Sequence, residues 1–212
     1  TVFSHASSTS IMDLFNYQPR RSHEVHIGNK PLGGQQPLRL QSMTTTLTTD
    51  TEASVAQCIT IIEAGADYVR LTTQGVREAE NLRSIREALH RRGFDTPLVA
   101  DVHFNPKVAD VAAGIVEKVR INPGNYVDPA RTFKEEEYAA ELARLEERFV
   151  QLLDICRAHG TAVRIGVNHG SLSDRIMCRY GDTPAGIVES CMEFLRVCAK
   201  VHFDDVVISI KA

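Results

Sequence analysis

Four basic residues stand toward the ends of short apolar runs in this 212-residue chain: Arg70, Arg120, Arg164 and Lys211. The residue directly before each of them in the sequence is Val or Ile, and Leu or Ile follows each arginine. Because side chains two apart on a β-strand point to the same face, all four cations are predicted to share one face of a sheet. A buried charge without a partner costs several kcal/mol, so this face is predicted to hold an anion.

The ligand that suits this face is a phosphorylated one. Arginine donates two parallel hydrogen bonds to a phosphate, and lysine contributes a point charge. Four cations fit a diphosphate better than a single carboxylate. A lone arginine at a strand end is often only a solvated or ion-paired surface group, but the same parity on four separate runs favours an anion site.

Other polar residues lie on the same face of the strands or just after the strand ends. Asp101 and His103 form either an acid/base pair or a carboxylate that orients a neighbouring arginine, and both interpretations stay open. Four more candidates complete the predicted site: Asn122, Asn168, Ser209 and His169.

The elements that carry these residues alternate between strand and helix. Predicted strands cover 38–43, 68–72, 98–103, 118–122, 162–168 and 206–211. Predicted helices cover 51–64, 76–92, 106–116, 130–159 and 184–201, the first of them with Thr49 as its N-cap. Such alternation requires parallel strands with covering helices. We predict an α/β fold, a (β/α)8 TIM-type barrel that is incomplete here with six strands.

The two ends of the chain are predicted to differ. Residues 1–22 are interpreted as an N-terminal extension and 23–212 as a partial TIM-barrel domain. Residues 23–37 are predicted to form a β-hairpin that plugs the bottom of the barrel. Ile208 and Ile210, like the other apolar strand positions, are expected between sheet and helices.

The composition and net charge of the chain argue against several classes of function. The formal net charge of -3 argues against a nucleic-acid or anionic-membrane binder, and no apolar run reaches the length of a membrane span. Five cysteines lack C-x-x-C spacing, so neither a metal site nor a disulfide scaffold is predicted, and a reducing cytoplasm is expected. Cys178 is expected to be exposed in a polar loop.

Six segments then resemble, in order, the 4-hydroxy-3-methylbut-2-enyl diphosphate synthase family. They are Gln41–Thr46, Glu63–Arg70, Leu98–Phe104, Lys118–Asn125, Arg164–Leu172 and Ile208–Ala212. The resemblance implies an oxidoreductase of isoprenoid precursor synthesis that reductively opens 2-C-methyl-D-erythritol 2,4-cyclodiphosphate. By position it implies phosphate contacts from Arg70, Arg120, Arg164 and Lys211, with Asn122, Asn168 and Ser209 also at the substrate. Asp101, His103 and His169 would contact the carbon skeleton or orient the basic groups.

The same resemblance implies a [4Fe–4S] cluster whose ligands lie outside this chain. The chain alone is therefore expected to bind no iron and to be inactive. Ferredoxin or flavodoxin would supply electrons, and a homodimer is one assembly the resemblance allows. Two alternatives remain at this point: a barrel of the dihydropteroate synthase type that binds a pterin diphosphate, and a non-catalytic docking barrel that binds an acidic peptide.

Overall fold

The computed structural model describes residues 21–103, 105–127 and 137–212. Its strands are β1 (Glu24–Val25), β2 (Leu32–Gly33), β3 (Gln41–Met43), β4 (Tyr68–Thr73), β5 (Leu98–Val102), β6 (Lys118–Ile121), β7 (Ala162–Asn168) and β8 (Val206–Lys211). Its helices are α1 (Thr51–Glu63), α2 (Val76–Arg91), α3 (Pro106–Ala113), α4 (Tyr138–His159), α5 (Asp174–Tyr180) and α6 (Pro184–Lys200). Most of the predicted extension, and residues 130–136 of the predicted fourth helix, lie outside the described residues.

Six strands form one parallel sheet in the order of the sequence, from β3 to β8. The sheet curls into a half-barrel, so the predicted incomplete barrel is confirmed. Consecutive parallel pairing follows from the helical crossovers between the strands. Every strand therefore ends at the same rim, which brings residues distant in sequence together.

The main hydrophobic core lies between the sheet and the helices. Val69, Val119 and Val163 are completely buried there, as strand parity predicts. On the helix side the core is filled by three rings packed edge to face: Tyr126, Phe149 and Phe194. The prediction for Ile208 and Ile210 is wrong, because β8 is an edge strand and half of each side chain is exposed.

The other face of the sheet is closed at its bottom by the N-terminal hairpin. β1 and β2 pair antiparallel, which confirms the predicted hairpin. Val25 and Ile27 pack with Tyr68, Val99 and Ala162 in a second apolar cluster, which we call the inner apolar cluster. These strand residues belong to the inward parity. The hairpin therefore plugs the half-barrel as the sequence predicts.

Helix N-termini are fixed by short polar side chains. Asn105 and Thr183 cap α3 and α6 ahead of a proline, as predicted. At α1 the prediction of Thr49 is wrong: Asp50 is the N-cap, and its Oδ1 accepts a hydrogen bond from the Ala53 backbone N at 3.0 Å. Asp50 has the extended backbone that an N-cap needs, one residue closer to the helix.

A short helix, α5, occupies a segment that the sequence analysis treats as a polar loop. Its buried residues are Ile176 and Arg175, and Arg175 is 1% exposed and makes a two-pronged contact with Glu193 of α6. Hydrophobic periodicity gives little signal for a seven-residue helix whose buried side combines one isoleucine with an arginine. Cys178 is exposed as predicted, but on this helix. Among the described residues, no helix combines the length and apolar character needed to cross a bilayer.

Replacing the cap of α1 tests the corrected boundary. Asp50→Ala should lower the free energy of unfolding by about 1 kcal/mol, since the Ala53 N–H loses its partner. Thr49→Ala is the matched control one residue away and should change it by less than about 0.5 kcal/mol. Urea unfolding followed by circular dichroism measures both. A larger effect at Thr49 than at Asp50 would restore the original prediction.

Candidate functional site

The centre of the site is the carboxylate of Asp101 at the end of β5. Its side chain is 2% exposed and contacts two arginines from the neighbouring strands. Oδ2 lies 2.9 Å from Nη2 of Arg70, and Oδ1 lies 3.0 Å from Nη1 of Arg120. His103 Nε2 lies 3.4 Å from Oδ2. Asp101 thus contacts three other predicted site residues, which are Arg70, Arg120 and His103.

The electrostatics of this cluster keep Asp101 ionised. Burial by itself would raise the pKa of the carboxyl group. The hydrogen bond with His103 and the charges of Arg120 and Arg70 outweigh burial, so the pKa is lowered. A carboxylate held charged in this way does not act as an acid near neutral pH. The two short contacts with Arg70 and Arg120 suit an orienting carboxylate, and the acid/base role of the Asp101–His103 pair stays a prediction.

Arg120 is held in place by β7 as well as by Asp101. Its Nη2 donates a hydrogen bond to the Gly166 carbonyl at 3.0 Å. A Cβ at Gly166 would lie 2.4 Å from Arg120 Nε, so only glycine leaves room for the guanidinium to cross the strand. The position of Arg120 thus depends on the absence of a side chain on the neighbouring strand.

Arg164 is the least neutralised arginine of the site. Its Nη2 donates to Ser209 Oγ at 2.7 Å, and in the described part of the chain it has no ion pair with a carboxylate. Burial, followed by the charges of Arg70 and Arg120, lowers its pKa. The buried Nε atoms of Arg70 and Arg164 have no hydrogen-bond partner within the described part of the chain. Such unsatisfied donors on a positive surface suit an anionic ligand.

Lys118 is a buried cation that the sequence analysis missed. It lies on β6, two residues before Arg120, and is 2% exposed. Its Nζ sits 4.2 Å from the centre of the Tyr68 ring. Burial, followed by the charges of Arg164 and Arg70, lowers its pKa from 10.5 to about 7. The signal was available, because Lys118 has the parity that selected Arg120.

The loops beyond β6 and β7 are bound to each other through Asn122. This side chain is 6% exposed, donates to Ser171 Oγ at 2.8 Å and accepts from the Gly124 N at 3.1 Å. Asn168 makes the equivalent turn contact with the Gly170 N at 3.2 Å. Both predicted residues therefore shape the rim, and their contact with a ligand stays a prediction.

Two predicted residues lie apart from the Asp101 cluster. His169, in the turn after β7, places its Nδ1 2.8 Å from Oδ1 of Asp182, an acidic partner that the sequence did not indicate. Lys211 is exposed at the end of β8, where it pairs in register with Asn168. Their predicted roles are neither supported nor excluded by these contacts.

The described residues do not fit an iron–sulfur cluster. Within the described ranges, no group of three or more His, Cys, Asp or Glu side chains is placed to hold a metal ion. Cluster ligation requires cysteine thiolates. Burial is the main cause that raises the pKa of Cys58, Cys156 and Cys198 to about 12, and Cys178 is the one exposed cysteine of the five.

A curled parallel sheet with half-buried arginines converging at its carboxyl rim defines a TIM-type barrel domain with a cationic mouth. Sequence comparison identifies the family to which this barrel domain belongs. The model of the GcpE TIM-barrel domain matches residues 22–212, and the chain belongs to that family.

Similar curated proteins carry one name, "4-hydroxy-3-methylbut-2-en-1-yl diphosphate synthase (flavodoxin)". The protein of Phocaeicola vulgatus is 68% identical over 206 residues, which are 95% of this chain and 34% of that protein. That of Porphyromonas gingivalis is 53% identical over 95% of the chain and 35% of its own length. That of Chlamydia pneumoniae is 47% identical over 96% and 34%. The chain thus spans about a third of these relatives.

Among solved structures, the phospho-2-dehydro-3-deoxyheptonate aldolase of Thermotoga maritima resembles the fold. Its TM-score is 0.50 at 12% identity, covering 89% of this chain and 45% of the aldolase chain. At that identity the likeness concerns the fold alone.

The contact between Gly166 and Arg120 gives a first test of the site. Gly166→Ala should push the Arg120 guanidinium away from Asp101 and weaken pyrophosphate binding by about tenfold, the loss of one charge-assisted contact. Gly114→Ala is the matched control, since a Cβ there meets no atom closer than 3.7 Å. Isothermal titration calorimetry measures both affinities. Equal affinities for the two variants would show that Arg120 does not depend on Gly166.

The lowered pKa of Asp101 gives a second test. Asp101→Asn should lower the free energy of unfolding at pH 7 by about 2–3 kcal/mol, because two arginines lose their counterion. The contribution of Asp101 is fully present above its unfolded pKa of about 4 and is lost as the pH falls through the lower folded pKa. The two proteins should therefore converge in stability only in acid.

Urea unfolding from pH 3 to pH 7 measures this difference. Asp154→Asn is the matched control, because Asp154 forms an exposed pair with Arg157 and should contribute about 0–0.5 kcal/mol. A stability difference at Asp101 that stays constant down to pH 3 would contradict the assigned direction of the pKa.

Proposed function

We propose that this chain is the substrate-binding barrel portion of a 4-hydroxy-3-methylbut-2-en-1-yl diphosphate synthase. The observation that carries the proposal is the surplus of basic side chains over carboxylates at the rim and in the layer just below it. Arg70, Arg120, Arg164 and Lys118 share one inner face, and Asp101 is the carboxylate that faces them in the described residues. The names of the relatives support the same reaction.

The substrate of this proposal is 2-C-methyl-D-erythritol 2,4-cyclodiphosphate. Its ring is opened by breaking a carbon–oxygen bond, and a hydroxyl group leaves as water. Two electrons and two protons enter, so that the cyclic diphosphate becomes one linear allylic diphosphate and one water molecule. The substrate is reduced and the electron donor is oxidised.

The residues of this chain contribute binding and orientation. Arg164 and Arg70, with unsatisfied Nε donors, bind the phosphates, and Arg120 adds the guanidinium fixed by Gly166. Asp101 positions Arg70 and Arg120 and is not the proton donor. Fixing both phosphates aims the reacting bond in one direction, which is a proximity effect.

The remaining predicted residues have outer roles in the proposal. Lys211, Asn168 and Ser209 extend the phosphate site along the rim toward β8, and Asn122 shapes it. His103, next to Asp101, and His169, paired with Asp182, face the carbon skeleton. These assignments follow the family resemblance and the positions of the strand ends.

The proposed enzyme also needs a redox group and an electron donor. A [4Fe–4S] cluster supplies electrons one at a time when bound. Since the described residues do not fit it, we place its ligands in regions of the relatives that this chain does not span. Flavodoxin is the proposed donor, because the relatives' names include it. A homodimer and a cytoplasmic location remain predictions.

The sequence is also compatible with two other ligands. The family match and the relatives' names favour the cyclodiphosphate over the pterin diphosphate of a dihydropteroate synthase and over an acidic docking peptide.

Substitution of Arg164 tests the proposal. Arg164→Gln should weaken binding of the cyclodiphosphate by at least about tenfold, because a charge-assisted phosphate contact is lost. Arg83→Gln is the matched control, since Arg83 is exposed on α2. Calorimetric titration of the purified chain with the cyclodiphosphate and with a pterin diphosphate gives the affinities. Failure of the unsubstituted chain to bind the cyclodiphosphate, or equal binding by both variants, would overturn the proposal.

A further inference from the structure

Lys118 lies one layer below the arginines, between the mouth and the plug of the half-barrel. In register it stands between Val99 of β5 and Ala162 of β7, both members of the inner apolar cluster. Arg120 follows two residues later on the same strand and face. Lys118 therefore stands in an apolar layer of the half-barrel, directly below the layer that contains the arginines of the mouth.

The charged groups around Lys118 are mostly positive. β4 contributes Arg70, β7 contributes Arg164 and its own strand contributes Arg120, and the first two act on it electrostatically. On β5 both oxygens of Asp101 are already taken by Arg70 and Arg120. No carboxylate of the described residues forms an ion pair with Lys118.

The plug side of Lys118 offers no compensating acid. β1 and the turn after it contribute Val25 and Ile27, which are apolar. The Tyr68 hydroxyl donates to the Lys30 carbonyl, and the Lys30 ammonium lies 3.9 Å from Asp67. Asp67 thus already has cations of its own, since Arg39 Nη1 also lies 3.4 Å from its Oδ1. Among the described residues, the favourable contact of the Lys118 ammonium is the one with the Tyr68 ring.

We propose that Lys118 is a proton-coupled anion-binding residue, a neutral amine in the ligand-free site that takes up a proton when a phosphorylated ligand binds against Arg70 and Arg164. The proposal rests on the proposed function, because it concerns the same mouth. It adds to the three half-buried arginines a buried cation that exists only when the anion is present.

The physical reason is a balance between repulsion and desolvation. In the ligand-free site, burial and two neighbouring positive charges disfavour the ammonium, and the pKa of Lys118 is lowered to about 7. A bound anion offsets the charges of Arg70 and Arg164 and attracts the ammonium itself. The pKa then rises, so the ligand binds together with a proton.

The sign of the pH dependence follows from this coupling. Between pH 7 and about 8 most of the ligand-free Lys118 is neutral and most of the ligand-bound Lys118 is charged, so binding takes up a proton. Anion affinity should therefore increase as the pH falls from about 9.5 to 7. If the anion raises the pKa by about one unit, the affinity changes by about fivefold over this range. Arginine charges stay constant over this range.

Nuclear magnetic resonance of the ¹³Cε atom of Lys118 tests the proposal directly. Sulfate is the probe, because it is a dianion that does not titrate in this range. Without sulfate, Lys118 should titrate near pH 7, and with saturating sulfate about one unit higher. Lys200, an exposed residue paired with Glu146, is the control and should not shift. This measurement uses the unsubstituted chain, so it does not depend on a variant folding.

Calorimetry of Lys118→Met provides the second readout. Methionine keeps the length and apolar character of the stem and removes the amine. The variant should lose the fivefold change in sulfate affinity between pH 9.5 and pH 7, whereas Lys200→Met should keep it. A structural role on the Tyr68 ring alone would alter stability without altering this pH dependence.

The outcomes separate this inference from the proposed function. If sulfate and the cyclodiphosphate bind but the titration of Lys118 does not move, the inference is overturned and the proposed function stands. If neither anion binds at all, both are overturned. A shift of Lys118 together with loss of the pH dependence in Lys118→Met supports the coupling.

Discussion

The Asp101 carboxylate shares its two oxygens between Arg70 and Arg120, and the rest of the mouth depends on this contact. One acid between two bases leaves a net positive charge while fixing both guanidinium groups in direction. Because Asp101 is buried, these contacts are stronger than they would be in water, and the carboxylate stays ionised. A cationic surface that is rigid before the ligand arrives loses little entropy on binding.

The same arrangement lowers the stability of the folded chain. Arg164 and Lys118 are desolvated near other cations without an acid of their own among the described residues, and both have lowered pKa values. The large apolar core on the helix side and the plug formed by the hairpin offset this cost. Functional sites commonly retain such unfavourable groups because a ligand removes the penalty.

Strand parity accounts for most of what the sequence could predict. It separated the apolar residues that face the helices from the charged residues that face inward, whereas the barrel class followed from the alternation of strands and helices. Lys118 also has the inward parity, but it stands two residues before Arg120 and not at the strand end, where the predicted site residues lie. Periodicity could not reveal α5, a seven-residue helix whose buried residues are Arg175 and Ile176, nor the exposure of Ile208 and Ile210 on an edge strand.

By itself, the sequence determined the order of the elements, the inward face of each strand and the identity of the cations on it, because alternation along a strand is a local property. Only the tertiary structure decided which cation meets which acid. The pairing of Asp101 with two arginines, the passage of Arg120 over Gly166 and the burial of Lys118 depend on the curl of the sheet and the register between strands. Those are distances between segments far apart in the chain, and the pattern within one segment does not contain them.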